Sequence, residues 1–580
     1  MRNKIRELQR IFTATIAVLR QQGGRALATQ LIEKARRREF VVLGDFVPRD
    51  DFQKWVTKNE PDEEALSEQV AESHRMQRKP VISLLTPVWN PRPEILEATI
   101  RSVLAQTYDQ WELCVVDGGS DEEIRQLLRE FEKADSRIRV KLLESNLGIS
   151  GNTNIALDMA KGDYVGFLDQ DDTLAPFALF ELVKCIHGSP DADLIYSDMD
   201  RIDANGARFN PLFKPEWSPE IMLSANYVVH FRVVRGSLLR ALGGLRPGLK
   251  GAEDWDLIFR LSERTTHVQR IPKILYHWRL SPISAATAGF RIKPAIGAQL
   301  RAISDFMARN KMAGNVQYER SGSFRIIWET YQLPFTSIVV YSPEIDSALE
   351  RCVQSVSEQS RFKKYEIIVV TPSGDELKHG TRTRVVRTDK TDFASASNLG
   401  ARSSTGQVLV FLDRHSQIVS RDWLEEIVGW AMQPSIGAVG CKLMSRKPRR
   451  IIHGGVVVGL PGYLFEGARE RSWTPLGQSE WYRDLTAVSG ACLATRREIF
   501  EELGGFAETP ESIPDIAYCL GSRRKNYRVL YTPFAKLILN NCNCHSSDTR
   551  SITDPTRRGD PYYNPNLSTD ETIPTLKLTS

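Results

Sequence analysis

A chain of 580 residues, 41% apolar and 26% charged, has the composition of a soluble globular protein and the length for two large α/β domains plus tails. Its net charge of +5 (77 Lys and Arg against 72 Asp and Glu) is small for this size and points away from a nucleic-acid partner. No apolar run reaches the roughly 18 residues that cross a bilayer, no secretory apolar region opens the chain, and eight sparse cysteines fit free thiols, so the expected location is the cytoplasm.

Residues 1–40 carry Ile5, Leu8, Ile11, Phe12, Ile16 and Leu19 at spacings of three and four, with basic residues filling much of the remainder. The spacing predicts a basic amphipathic helix, packed on its own domain or lying on the cytoplasmic face of the inner membrane. Residues 41–78 read as a connector with helical pieces, so 1–78 form an N-terminal helical segment. Val81 to Leu85 is a short apolar run stopped by Pro87 and Pro91, which predicts a buried strand. A helix follows from Pro93 to Gln106, a strand from Trp111 to Val116 and a helix over 122–134. Further strands are expected at Arg139 to Leu143 and Tyr164 to Leu168, with a helix through Ile155 to Ala160 between them. This alternation argues for a mostly parallel sheet with right-handed crossovers, and ligands of such sheets bind beyond the carboxyl ends of the strands.

The chain then repeats itself. Asn154 to Asp169, NIALDMAKGDYVGFLD, aligns without a gap with Asn398 to Asp413, NLGARSSTGQVLVFLD. Leu242-Gly243-Gly244 matches Leu503-Gly504-Gly505, Asp254 faces Asp515, and the strand at Val81 matches Thr336 to Val340. Ordered blocks of this kind mark two copies of one fold. They span 79–280 and 335–545 and are joined by 281–334, with helical character over 294–309. Residues 546–580, rich in Thr, Pro, Asp and Asn, are expected to be flexible.

The strand ending Phe167-Leu168 delivers Asp169-Gln170-Asp171-Asp172. Three carboxylates in four residues repel one another, and a divalent cation or polar ligand would compensate them. Magnesium and manganese favour carboxylate together with phosphate oxygens. The competing reading is a solvated turn that caps the next helix. Glu253-Asp254 precedes an apolar helical stretch, where a carboxylate serves as a helix cap or as a general base. His277 stands among aromatics in Leu275-Tyr276-His277-Trp278-Arg279, a setting that also suits a packed core histidine. Cys542-Asn543-Cys544-His545 has metal-binding residue types without a second ligand pair at zinc-finger spacing.

Taken in order, Leu85 to Asn90 (LTPVWN), Ser102 to Tyr108 (SVLAQTY), Val115 to Ser120 (VVDGGS), Asn146-Leu147-Gly148, Phe167 to Leu174 (FLDQDDTL), Glu253-Asp254 and Tyr276 to Arg279 (YHWR) resemble the family 2 glycosyltransferases, the inverting group with a GT-A fold. The tandem arrangement is similar to that of bacterial transferases that build surface polysaccharides of the O-antigen type. The resemblance implies two tandem GT-A domains, a UDP- or dTDP-sugar donor, a glycan or lipid-linked glycan acceptor and a Mn2+ or Mg2+ ion. It places Thr86, Pro87, Asn90 and Asn154 along the nucleotide sugar, and Asp117 on the imide N–H of the base. Asp169 would lie at the ribose, Asp171 and His277 on the metal, and Trp255 against the acceptor. Asp254, with Glu253 beside it, would be the catalytic base. Thr153 stands where many relatives carry an arginine that meets the diphosphate.

In the second copy the acidic cluster becomes Asp413-Arg414-His415-Ser416, Asp117 becomes Thr371 and Glu253-Asp254 becomes Pro514-Asp515. The histidine region is expected at Leu539-Asn540-Asn541. The expectation is one active first domain and a second that no longer transfers sugar. A glycan-binding scaffold with no activity and a bifunctional enzyme are the alternatives. A sugar-nucleotide pyrophosphorylase would need a Gly-rich phosphate loop where Thr86 to Asn90 stand. Self-association stays open.

Overall fold

The structure, a computed structural model, describes residues 45–280, 293–374, 376–378, 382–509, 513–540 and 559–578. The basic segment 1–40 and the Cys542-Cys544-His545 cluster lie outside the described residues. The connector holds two helices, Arg49–Asn59 and Glu63–Arg75, the second capped by the Asp62 side chain on the Ala65 amide.

The first copy is built on nine strands: β1 Ile82–Val88, β2 Trp111–Asp117, β3 Ile138–Leu142, β4 Tyr164–Phe167, β5 Thr173–Leu174, β6 Leu194–Ile202, β7 Arg208–Leu212, β8 Arg232–Arg235 and β9 Val268–Arg279. Eight run in the order β3-β2-β1-β4-β8-β6-β9-β5, with β7 beside β6. The β3-β2-β1-β4 half is parallel, as the alternation with helices predicts. The antiparallel strand β8 then turns the sheet into a mixed one. β2 is buried along its whole length, which is why its sequence shows no polar alternation.

The second copy repeats this order: Thr383–Arg387, Tyr365–Thr371, Thr336–Tyr341, Val408–Leu412, Cys492–Arg496, Ile436–Met444, Arg528–Leu539 and Ser416–Ile418. Even a small buried motif is duplicated. Ser83 donates to Glu112 and receives the Gly162 amide, while Ser337 donates to Glu366 and receives the Gly406 amide. A Cβ on Gly162 would stand 2.6 Å from the Val81 carbonyl oxygen, and one on Gly406 2.4 Å from the Ser337 amide nitrogen, so only glycine fits at either place.

The joining region is more than a linker. Its helix, Lys293–Arg309, matches the expected position, but a hairpin of β10 Gly314–Tyr318 and β11 Phe324–Trp328 follows it. Phe324 meets Trp255 edge-on at 5.3 Å and Trp328 meets Trp430 at 5.2 Å, so the hairpin joins both copies in one apolar core.

The expectation of a flexible tail fails over 559–578. Tyr563, Leu567 and Leu576 are buried, and Asp560 accepts from the Val458 amide. Asn564, fully buried, donates to both oxygens of the buried Asp198 and to the Lys214 carbonyl. A composition rich in Asn and Thr reads as disorder, yet such amides can satisfy buried backbone and carboxylate groups. Asn564→Ala should therefore lower stability by about 1–3 kcal/mol, because Asp198 keeps the Lys214 amide but loses its side-chain donor in a buried place. Chemical denaturation of the full chain measures it.

Candidate active site

The carboxyl ends of β1, β2 and β4 and the start of the helix Glu253–Ser262 carry the polar groups. After β4 the chain turns through Asp169 to Asp172. Asp172 is fully buried, receiving the Tyr276 hydroxyl at 2.6 Å and the Arg279 amide at 2.7 Å. The Asp171 carbonyl receives Arg279 Nε at 2.8 Å. His230, buried just before β8, stacks on Tyr276 at 4.5 Å with 6° between the planes. One ligand atom each from Asp169, Asp172 and His230 lies within 4.8 Å of the others.

The carboxyls of this cluster are all pushed upward by burial, with Arg232 beside Asp169 and Arg279 beside Asp171 working the other way. The protein packed around Asp169, and after it Asp171, pushes the Asp169 carboxyl up to about 7, while Arg232 works in the opposite direction. Half of the Asp169 side-chain surface meets solvent, which screens part of that push. Burial also raises Asp171, and raises Asp172 well above the carboxylate range with help from its two acidic neighbours. Burial, then Arg232 and Lys214, holds His230 well below the ordinary histidine value, so its ring is neutral and competent as a ligand. Two or three carboxyl oxygens with one imidazole nitrogen suit Mn2+ or Mg2+.

Asp254 occupies the first turn of its helix, 27% exposed. One oxygen receives the Trp255 amide at 2.8 Å, and the other receives Asn226 Nδ2 at 2.9 Å with Arg232 Nη1 at 3.9 Å. Glu253 beside it is buried; its carboxyl takes the Gly251 amide at 2.7 Å and is raised chiefly by burial. Of the two acids, Asp254 is the one that keeps access to solvent.

The remaining expected residues divide. Thr86 and Pro87 lie in β1 as its carboxyl end approaches, and Thr86 Oγ1 is buried without a hydrogen-bond partner among the described residues. Asn90, in a left-handed conformation at φ 43°, accepts from the Asp121 amide and ties this edge to the turn after β2. Asp117 is fully buried, and its carboxylate receives the Gly119 and Ser120 amides and Arg125 Nε.

Three expectations are corrected. Asn154 spends its amide on the fold: it closes both hydrogen bonds of the Leu245 backbone, as Asn398 does with Phe506 in the second copy. A group used identically in both copies serves the fold. Trp255 is a core residue, 4% exposed, with its indole N–H on the Met222 carbonyl. His277 is not among the three clustered ligands. Its Nδ1 sits 2.6 Å from Asp200, and in strand β9 its side chain takes the face opposite that of Tyr276.

Sequence reasoning missed His230, Asn226 and Arg232, and it counted Asp172 in the acidic cluster without giving it the ligand role assigned to Asp171. The repeat held a signal for His230 and for Asp172. β4 pairs Tyr164 with Arg235, and its counterpart pairs Val408 with Arg496, so His230 corresponds to Ala491 and Asp172 to Ser416. The same registers pair Thr173 with His277 and Gln417 with Ile538, which moves the counterpart of His277 from the expected Leu539–Asn541 region to Ile538. Asp515 keeps the place of Asp254 but is 1% exposed, with its oxygens on the Gly490 and Ile516 amides.

Two tandem mixed sheets, the first with an acidic end, define a class, and comparison gives its name. The chain belongs to glycosyl transferase family 2, whose profile matches residues 83–241 and 337–504. It is 34% identical over 550 residues to the O-antigen biosynthesis protein RfbC of Myxococcus xanthus, covering 89% of this chain and 42% of that protein. It is 33% identical over 543 residues to an uncharacterized protein, y4gI, of Sinorhizobium fredii, covering 85% of this chain and 58% of that protein. The chain thus spans about half the length of the curated relatives it matches. Among solved structures it is similar to S. aureus TarS 1–349 in complex with UDP-GlcNAc, at 20% identity and a TM-score of 0.34 over 39% of this chain and 66% of that one. Among the described residues no helix is long and apolar enough to cross a membrane.

Proposed function

We propose that the first copy is a metal-dependent inverting glycosyltransferase. It moves a sugar from a UDP- or dTDP-sugar to a hydroxyl of a growing bacterial surface glycan of the O-antigen or capsule type. The observation that carries the reading is the gathering of Asp169, Asp172, His230 and Asp254 at one end of the first sheet, with Ser416, Ala491 and a sealed Asp515 replacing three of them in the second.

Asp169, Asp172 and His230, with Asp171 on the same turn, would hold Mn2+ or Mg2+. The bound ion supplies positive charge beside the departing diphosphate. Asp254 takes the proton of the acceptor hydroxyl while that oxygen forms its bond to the anomeric carbon. The bond from that carbon to the diphosphate oxygen breaks on the opposite face, the nucleoside diphosphate leaves with the electron pair, and the configuration inverts. Thr86, Pro87 and Asp117 line the nucleotide side. The Trp255 amide and Asn226 fix the direction in which Asp254 presents its lone pairs.

The test is a panel of UDP-hexoses and dTDP-rhamnose offered to the full chain with and without Mn2+. Metal-dependent release of nucleoside diphosphate is expected, whereas release of pyrophosphate would mark a pyrophosphorylase. In a calorimetric titration UDP with Mn2+ should saturate at one site per chain. Two equivalent sites would end the reading of an inactive second copy.

A further inference from the structure

The segment Ser218 to Asn226 belongs to the first copy, but it is held by the second. Ser218 Oγ donates to Asp484 at 2.7 Å, and Arg528 grips the buried Glu220 with both Nε and Nη2. The Tyr482 amide donates to Ser224 Oγ at 3.1 Å, and the Phe324 amide of the hairpin donates to the Ser224 carbonyl at 3.0 Å. The Tyr482 hydroxyl receives the Ile326 amide and donates to Glu426, so the hairpin and the second copy grip this segment as one body.

The same segment makes two of the contacts that aim Asp254. The Met222 carbonyl accepts the Trp255 indole, anchoring the first turn of the helix on which Asp254 stands. Asn226 Nδ2 reaches the carboxylate itself. Asn226 Oδ1 is buried without a hydrogen-bond partner among the described residues, so the amide is tied through Nδ2 to Asp254 and its aim follows the backbone carrying it.

We infer that the second copy acts as a positioning scaffold for the first: Asp484, Arg528 and Tyr482 set the 218–226 segment, and that segment, through Asn226 and Trp255, sets Asp254. This rests on the reading of Asp254 as the base. It gives a sheet without its own acidic site a reason to stay attached. Placement errors at a reacting group are expensive in rate even when binding is untouched, so the effect belongs on kcat.

The test uses the full chain, the best donor of the panel and three variants: Ser218→Ala, the double variant Glu220→Gln/Arg528→Met, which removes the cation together with the carboxylate it grips, and Asn226→Ala. Each should bind UDP with Mn2+ as the parent does and lose kcat by about tenfold or more. Combining Ser218→Ala with Asn226→Ala should cost little more than the worse of the two, because both act through one contact. Unchanged kcat in Ser218→Ala and in Asn226→Ala would overturn the inference. So would losses that multiply, or losses of UDP affinity that match those in kcat. If the double variant does not fold, Ser218→Ala alone decides. If Asp254→Asn turns over normally, the base assignment itself has failed; if Asp254→Asn is inactive and these variants are not, only the scaffold role falls.

Discussion

Asp254→Asn should lower donor turnover by about 10²–10⁴-fold, the range a well-placed proton acceptor supplies, and leave UDP affinity unchanged. The amide keeps the size of the carboxylate and can still receive the Trp255 amide hydrogen, so the helix start loses little. It cannot accept a proton at neutral pH. Glu253 offers no substitute, because its carboxyl is buried and held on the Gly251 amide. Steady-state release of nucleoside diphosphate and calorimetry with UDP read the two halves of this statement. Turnover near the parent's would remove Asp254 from the chemistry.

Much of the fold was legible in the sequence because its signals are periodic and local. The run Val81 to Leu85 and the run Trp111 to Val116 are apolar throughout, and both became buried parallel strands. The repeat fixed the second copy from the first, down to Gly162 and Gly406 packed against equivalent serines. The hairpin 314–328 and the packed segment 559–578 were not legible, since each is stable only through partners far away in sequence. Trp328 needs Trp430, and Asn564 needs Asp198.

The site divides in the same manner. Asp254 and the Asp169 to Asp172 turn stand where strand ends and helix starts put them, which sequence pattern locates well. Asn154 and Trp255 carry the right residue types for a ligand, yet their hydrogen bonds run to Leu245 and Met222 backbone. His230 was hidden because a lone histidine before an apolar strand looks like core. Only the approach of Tyr276 and Asp169, each many residues away, gives it chemistry.

The choice between His230 and His277 yields the second large effect. His230→Gln should weaken Mn2+ binding by about 100-fold or more, beyond the 10–100-fold that loss of an outer-shell partner costs, with turnover falling alongside. His277→Gln removes a ring held by Asp200 and should cost less. The pH dependence supplies a check that needs no donor. Asp169, Asp171 and Asp172 all have carboxyls raised by burial, Asp169 to about 7. A carboxyl whose folded value lies above its unfolded one binds more protons when folded, so without the ion this cluster loses stability as pH rises through that window. The ion competes with those protons, hence Mn2+ should raise Tm more at about pH 8 than at about pH 6. His230→Gln should abolish the increment at both. If the increment survives in His230→Gln and disappears in His277→Gln, the ion sits between Asp171 and His277, and the neutral ring stacked on Tyr276 is a packing residue after all.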